Sequence, residues 1–182
     1  MDFKNTIFDF SLSVSNLWLF SGIFLLLNTG FILLFPKHNI GRFIKMPNVN
    51  LYTKINQISY YLLFVISVFI PLKTGTAVFC VGLFLFVIGI LFYAMSLFYF
   101  AISEYDLPVT RGIYKFSRHP AYVSFFVINI GMFLVSFSFI VFIIAFLHFY
   151  ALVFIIKEEE KMCKKQYGTD YAEYLKKTKR FL

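Results

Sequence analysis

The sequence predicts an all-α integral membrane protein with about five transmembrane helices. The last two form a helical hairpin, and a short cytoplasmic amphipathic helix follows. Three observations predict this. Of the 182 residues, 60% are hydrophobic and 14% charged, with a mean hydropathy of +0.78. Globular chains are only about half apolar, so a soluble domain of this length could not hide so much apolar surface. The apolar residues gather into runs that meet the about 20 residues a helix needs to cross a bilayer. The basic residues segregate to alternate loops, as multi-pass topology requires.

Taken in order, the first run covers about 16–35 and stops at Pro36. The second covers about 55–72, with Pro71 near its end, and the third about 76–102, long enough to span with some tilt. From Pro120 to Ile156 there is no Lys, Arg, Asp or Glu. That run is too long for one crossing and just long enough for two, with a tight turn at Ser136-Phe137-Ser138. Five spans place Lys37, Arg42, Lys45, Lys54, Arg111, Lys115, Arg118 and every basic residue from Lys157 onward on one side. Only Lys4 and Lys73 fall on the other, fifteen against two. The C-terminus and residues 107–122 are therefore predicted to be cytoplasmic, and an uninterrupted fourth helix would destroy the asymmetry. The net charge of +8 is explained by this topology, with no nucleic-acid partner implied.

Gly82, Gly89 and Gly131 predict close helix approach. Asp2, Lys4 and Asp9 do not suit a cleavable signal peptide. Cys80 and Cys163 lie in different surroundings, so no disulfide is expected. The chain reads as one membrane domain, 1–182, divided into N-terminal spans (1–106) and a motif-bearing region (107–182).

Two segments depart from the pattern of spans and anchors. LPVTRGIYKFSRHPAY, residues 107 to 122, sets an arginine, a histidine and a proline at the mouth of the longest apolar run. Pro120 in the first helical turn gives up no hydrogen bond. The helix N-terminus that follows presents free N–H groups and partial positive charge, suited to an anion. Arg118 and His119 reinforce that field, and Gly112 permits a bend upstream. The plainer reading has Arg118 snorkelling to phosphates and Tyr114 and Tyr122 in an aromatic belt.

The second segment, KEEEKMCKKQYGTDYAEYLKKTKRFL, begins at Lys157. Orientation does not need its three glutamates, because acidic residues contribute little to topology. A fifth span continued as a helix brings one or more of them into line with the bundle interior. Successive residues point about 100° apart, so Glu158 and Glu159 cannot face the same partner. Gly168 reads as a helix stop, and Asp170 with Glu173 as a capping box opening a last helix. Tyr171, Tyr174, Leu175 and Thr178 share one face of it, while Lys176, Lys177 and Lys179 suit anionic headgroups.

Nucleotide-binding glycine loops, paired metal-ligand histidines and Ser-His-Asp sets are missing. No metal site is expected. His38 and His148 are isolated, and an ionisable residue inside a span, as His148 is, is a functional candidate or a neutral hydrogen-bonding partner.

GIYKFSRHPAY, one apolar hairpin, and then EE-x-x-C-x-x-x-YG-x-x-Y-x-x-Y together resemble the isoprenylcysteine carboxyl methyltransferase family, in the broader group with the phospholipid N-methyltransferases. The resemblance covers residues 112 to 182. Cys163 stands where the family has leucine and Tyr167 where it has phenylalanine, and Arg180-Phe181-Leu182 lacks the usual closing proline.

The resemblance implies S-adenosyl-L-methionine as methyl donor, held between the RHP segment and the helix after the hairpin. Tyr114, His119, Pro120 and Tyr122 would line its site, with Glu159 or Glu160 closing it. Arg118, His119 and Glu159 are the candidates for catalytic work. The acceptor it implies is a lipophilic or prenylated molecule entering from the bilayer, with an isoprenylcysteine-type carboxylate first. A carboxylate needs no base, whereas an amine would lose a proton to a glutamate or His119.

Two other readings compete. Membrane sterol reductases that use NADPH share similar segments, but are longer and often carry Arg-Asp where this chain has Lys157-Glu158. A non-catalytic scaffold with a basic lipid-binding tail is the third.

Overall fold

The computed structural model describes residues 11–13, 15–35 and 51–181, and among these it contains five α-helices and no β-strand. They are α1 (Trp18–Leu34), α2 (Leu51–Ser67), α3 (Ala77–Ala101), α4 (Pro120–Ser136) and α5 (Phe139–Lys177), with a 3₁₀ turn at Gly112–Lys115 before α4. Asp2, Lys4, Asp9, Pro36, Lys37, His38, Arg42 and Lys45 lie outside the described residues. Helices α3 and α5 are long and apolar enough to cross a membrane, and α1 and α4 are shorter apolar helices. Large apolar side chains such as Phe84, Leu91, Phe142 and Phe146 point outward, a surface that suits lipid rather than water.

The α3–α4 seam is the tightest packing, and glycine makes it possible. A Cβ on Gly82 would stand 2.8 Å from the Val135 nitrogen, and one on Gly131 2.7 Å from the Phe86 nitrogen. The predicted close approach is therefore present. Helix α3 starts where the Thr76 hydroxyl accepts the Phe79 N–H at 3.0 Å, an N-cap worth about 1 kcal/mol.

The predicted turn at 136–138 is also present. Helix α4 ends at Ser136, Phe137 adopts φ 48 and ψ 35, and α5 begins at Phe139. A bulky residue in the left-handed region costs roughly 1–2 kcal/mol. Phe137→Gly is accordingly expected to raise the unfolding midpoint by a few degrees, measured by circular dichroism in detergent. A lower midpoint would show that the Phe137 ring contributes more than its backbone costs.

Helix α2 differs from its predicted limits, starting at Leu51 and ending at Ser67 instead of covering about 55–72. The cause is Asn16. It bridges to Pro71, its Nδ2 donates to the Val68 carbonyl at 2.8 Å, and the Leu17 N–H donates to the Ile70 carbonyl at 2.9 Å. After a turn at 68–69, in which the Phe69 N–H donates to the Ile66 carbonyl at 2.9 Å, these bonds hold 70–71 against Asn16 and Leu17, and Pro71 biases Ile70 away from helix.

Helix α5 continues past Ile156, as predicted, and Gly168, at the non-helical φ 52 and ψ −120, breaks it into two helical segments, as its reading as a stop requires. Glu173 pairs with Lys177 at 3.7 Å, and the predicted capping box with Asp170 is not formed among the described residues.

Candidate functional site

Local backbone geometry sets the first wall. Gly112, at φ 59, opens the 3₁₀ turn with the Tyr99 ring packed where a Cβ would stand. This seats Ile113 and Tyr114 against Val109 and the end of α3. His119 is then the N-cap of α4 and Pro120 its first residue. The helix N-terminus offers fewer donors than the sequence suggests. Proline has none, and the N–H groups of Tyr122 and Val123 both donate to the His119 carbonyl at 3.1 Å. Ala121 is left as the free donor.

The tail folds back onto this wall. The Arg118 N–H donates to the Lys179 carbonyl at 3.0 Å, and the Ser117 hydroxyl to the Arg180 carbonyl at 3.2 Å. The Tyr174 hydroxyl donates to the Tyr114 carbonyl at 2.7 Å. Burial pushes the Tyr174 phenol well up, so it remains a protonated donor. The predicted face of Tyr171, Tyr174 and Thr178 is thus buried against protein, while Lys176, Lys177 and Lys179 stay exposed.

The three glutamates separate as helical geometry requires. Glu158 points outward and pairs with Lys161 at 2.6 Å. Glu159 accepts from the Tyr122 hydroxyl at 2.8 Å and lies 3.8 Å from His119 Nδ1. Glu160 is buried and gathers three partners. Its Oε1 lies 3.1 Å from an Arg118 nitrogen and 3.3 Å from His119 Nε2, and its Oε2 accepts from Arg180 at 2.6 Å. Burial alone would raise the Glu160 pKa. Hydrogen bonds from His119 and Arg180, with the charges of Arg118 and Arg180, bring it down to about 2 instead. The same hydrogen bond raises the pKa of Arg180.

Between the walls lies a cavity of about 410 Å³, within the roughly 300–1,000 Å³ of small-molecule sites. Of the predicted site residues, Tyr114, Arg118, His119, Pro120, Tyr122 and Glu159 line its charged rim. Glu160 does not; it holds Arg118 and His119 in place. The cavity then passes Phe125 and Leu152 inward to Asn28, Asn56, Tyr60, Tyr93 and His148. Cys80 and Cys163 form no disulfide among the described residues, and Cys163 borders the cavity.

Sequence reasoning missed two groups. Arg180 read as one more tail cation, because nothing local marks it as the partner of Glu160. Asn28, Asn56, Tyr60 and Tyr93 come from three different helices, and their only signal was polarity inside apolar runs.

Among the described residues, two apolar helices are long enough to cross a membrane, and a cavity joins a charged rim to an interior that no Lys, Arg, Asp or Glu lines. The family model for phospholipid methyltransferases matches residues 72–170. The chain belongs to this family, in the broader group that the motifs after Gly112 point to, and membership implies a membrane methyltransferase. The match begins before α3, upstream of the stretch carrying those motifs. No curated protein and no solved structure matches the chain.

Proposed function

We propose that this protein is an S-adenosyl-L-methionine-dependent methyltransferase acting on a lipophilic acceptor drawn from the bilayer. The observation that carries the reading is the single cavity with a charged rim and an interior free of charged side chains. The residues present fit the donor. Arg118 lines the rim with a buried Nε that has no partner, which suits a carboxylate. The Glu159 carboxylate, 37% exposed, suits an ammonium or ribose hydroxyls. Tyr122 and His119 stack at 5.7 Å and offer a flat surface.

When bound, the cofactor supplies a methyl already activated on a sulfonium. The chain's part is to hold the partners in line and exclude water. Glu160 fixes Arg118 and His119, and Tyr122 orients Glu159. Among the described residues lining the cavity, Arg118 is the arginine or lysine that an isoprenylcysteine-type carboxylate would meet, so it would sit at the rim with its chain inward. An amine would instead pass its proton to Glu159 or His119.

The test is thermal stability of the purified protein with S-adenosylhomocysteine and with NADPH. Stabilisation by the first alone supports methyl transfer. Stabilisation by NADPH alone overturns it in favour of a sterol-reductase-type activity, and no shift with either leaves the scaffold. His119→Ala is expected to weaken S-adenosylhomocysteine binding about tenfold, as loss of one or two hydrogen bonds would; unchanged affinity would remove His119 from the site.

A further inference from the structure

The inner end of the cavity holds a second polar constellation that a charged rim does not explain. Asn56 lines it from α2 at 8% exposure, and its Oδ1 is buried with no hydrogen-bond partner. Opposite, His148 on α5 is 6% exposed, lines the same end of the cavity, and packs on Phe125 with ring centroids 4.4 Å apart. An imidazole in its neutral form carries one donor and one acceptor nitrogen. Tyr60 adds a hydroxyl to the same wall. Tyr93 and Asn28 are already matched, the Tyr93 hydroxyl donating to Asn28 Oδ1 at 2.9 Å and Asn28 Nδ2 to the Phe24 carbonyl at 2.8 Å.

A buried amide without a partner costs about 1–3 kcal/mol. Leucine at position 56 would avoid that cost, so the amide calls for a ligand that satisfies it. Charge is the wrong match. No Lys, Arg, Asp or Glu lines this end of the cavity, and an unpaired ion in such a setting is heavily penalised. The required group is uncharged and able both to donate and to accept.

We propose that Asn56, His148 and Tyr60 form an intramembrane subsite for an uncharged polar group, a hydroxyl in the simplest case, on an otherwise apolar ligand. The flanking Phe24, Phe125 and Leu152 receive the ligand's hydrocarbon. His148 precedes Glu159 by 11 residues on α5, about 16 Å along the helix. The subsite therefore lies well inward of the rim. That its ligand is the methyl acceptor rests on the methyltransferase reading; that it binds such a ligand does not.

The test uses the full chain in lipid nanodiscs with dodecan-1-ol, its methyl ether and dodecanoate as probes, following the unfolding midpoint. The alcohol is expected to raise the midpoint by several degrees, while the ether, which cannot donate, does not. Asn56→Leu is expected to weaken the alcohol's apparent affinity about tenfold, the value of one buried hydrogen bond. Equal shifts with alcohol and ether, a larger shift with dodecanoate, or no shift with any probe overturns the subsite. This comparison needs only the native protein, so it stands even where the variant does not fold. A separate titration with S-adenosylhomocysteine keeps the two readings apart: its failure overturns methyl transfer and leaves the subsite result unaffected.

Discussion

Replacing Glu160 with Gln is expected to lower the unfolding midpoint by roughly 6–12 °C, at about 2–4 °C per kcal/mol for a chain of this size. The side chain of Arg118 is only 11% exposed and that of His119 only 4%. Removing the carboxylate's charge leaves the Arg118 guanidinium without its counter-ion and His119 without one hydrogen-bond partner, a loss of about 3 kcal/mol or more. Arg180, with its side chain 40% exposed, regains water and adds little. Acid should act on the same interaction. The folded pKa of about 2 lies below the ordinary value of 4.5, so the carboxylate's contribution is fully present above pH 4.5. It is lost as pH falls through that value toward 2, and amounts to roughly 3 kcal/mol. Midpoints recorded from neutral pH down to pH 2 should therefore fall more steeply for the native protein than for Glu160→Gln. Parallel acid limbs would overturn the assignment.

Glu159→Gln, one residue away, should behave in the opposite way. Its carboxylate is 37% exposed, and the Tyr122 hydroxyl can donate to an amide oxygen as well. The midpoint should barely move. Affinity for S-adenosylhomocysteine, measured by titration calorimetry, should fall about 10- to 100-fold, as expected for losing a charge-assisted hydrogen bond of about 1.5–3 kcal/mol. Unchanged affinity would take Glu159 out of the cofactor site. A joint loss of stability and binding would make its role structural, like that of Glu160.

The contrast shows what the sequence could and could not reveal. Helical geometry was enough to say that the glutamates diverge, and run length with loop charge was enough to place the turn at Phe137. Both are local properties, or sums over local ones. The end of α2 was illegible because Asn16 sets it from more than 50 residues away, and a side-chain amide on extended backbone has no periodic signature. Arg180 was hidden for the same reason, since one basic residue in a lysine-rich tail looks like any other. The RHP segment could be read as a site wall, but the tail bracing it could not. The inner ring was half visible. His148 stood out as an ionisable residue within a span, whereas the amide of Asn56 matters only because nothing in the fold pairs with it.

The bonds from Ser117 and Arg118 to the backbone of residues 179 and 180 also bear on biosynthesis. Ser117 precedes Arg180, whose carbonyl braces it, by 63 residues, so segment 117–122 is synthesised well before its brace. Domains and their parts order as the chain emerges, so the spans can insert and the α3–α4 seam can close while the rim still lacks its last brace. Insertion and competence are then separate events in time. A chain stalled short of Tyr174 would keep the α3–α4 seam and lack the backbone that braces Ser117 and Arg118.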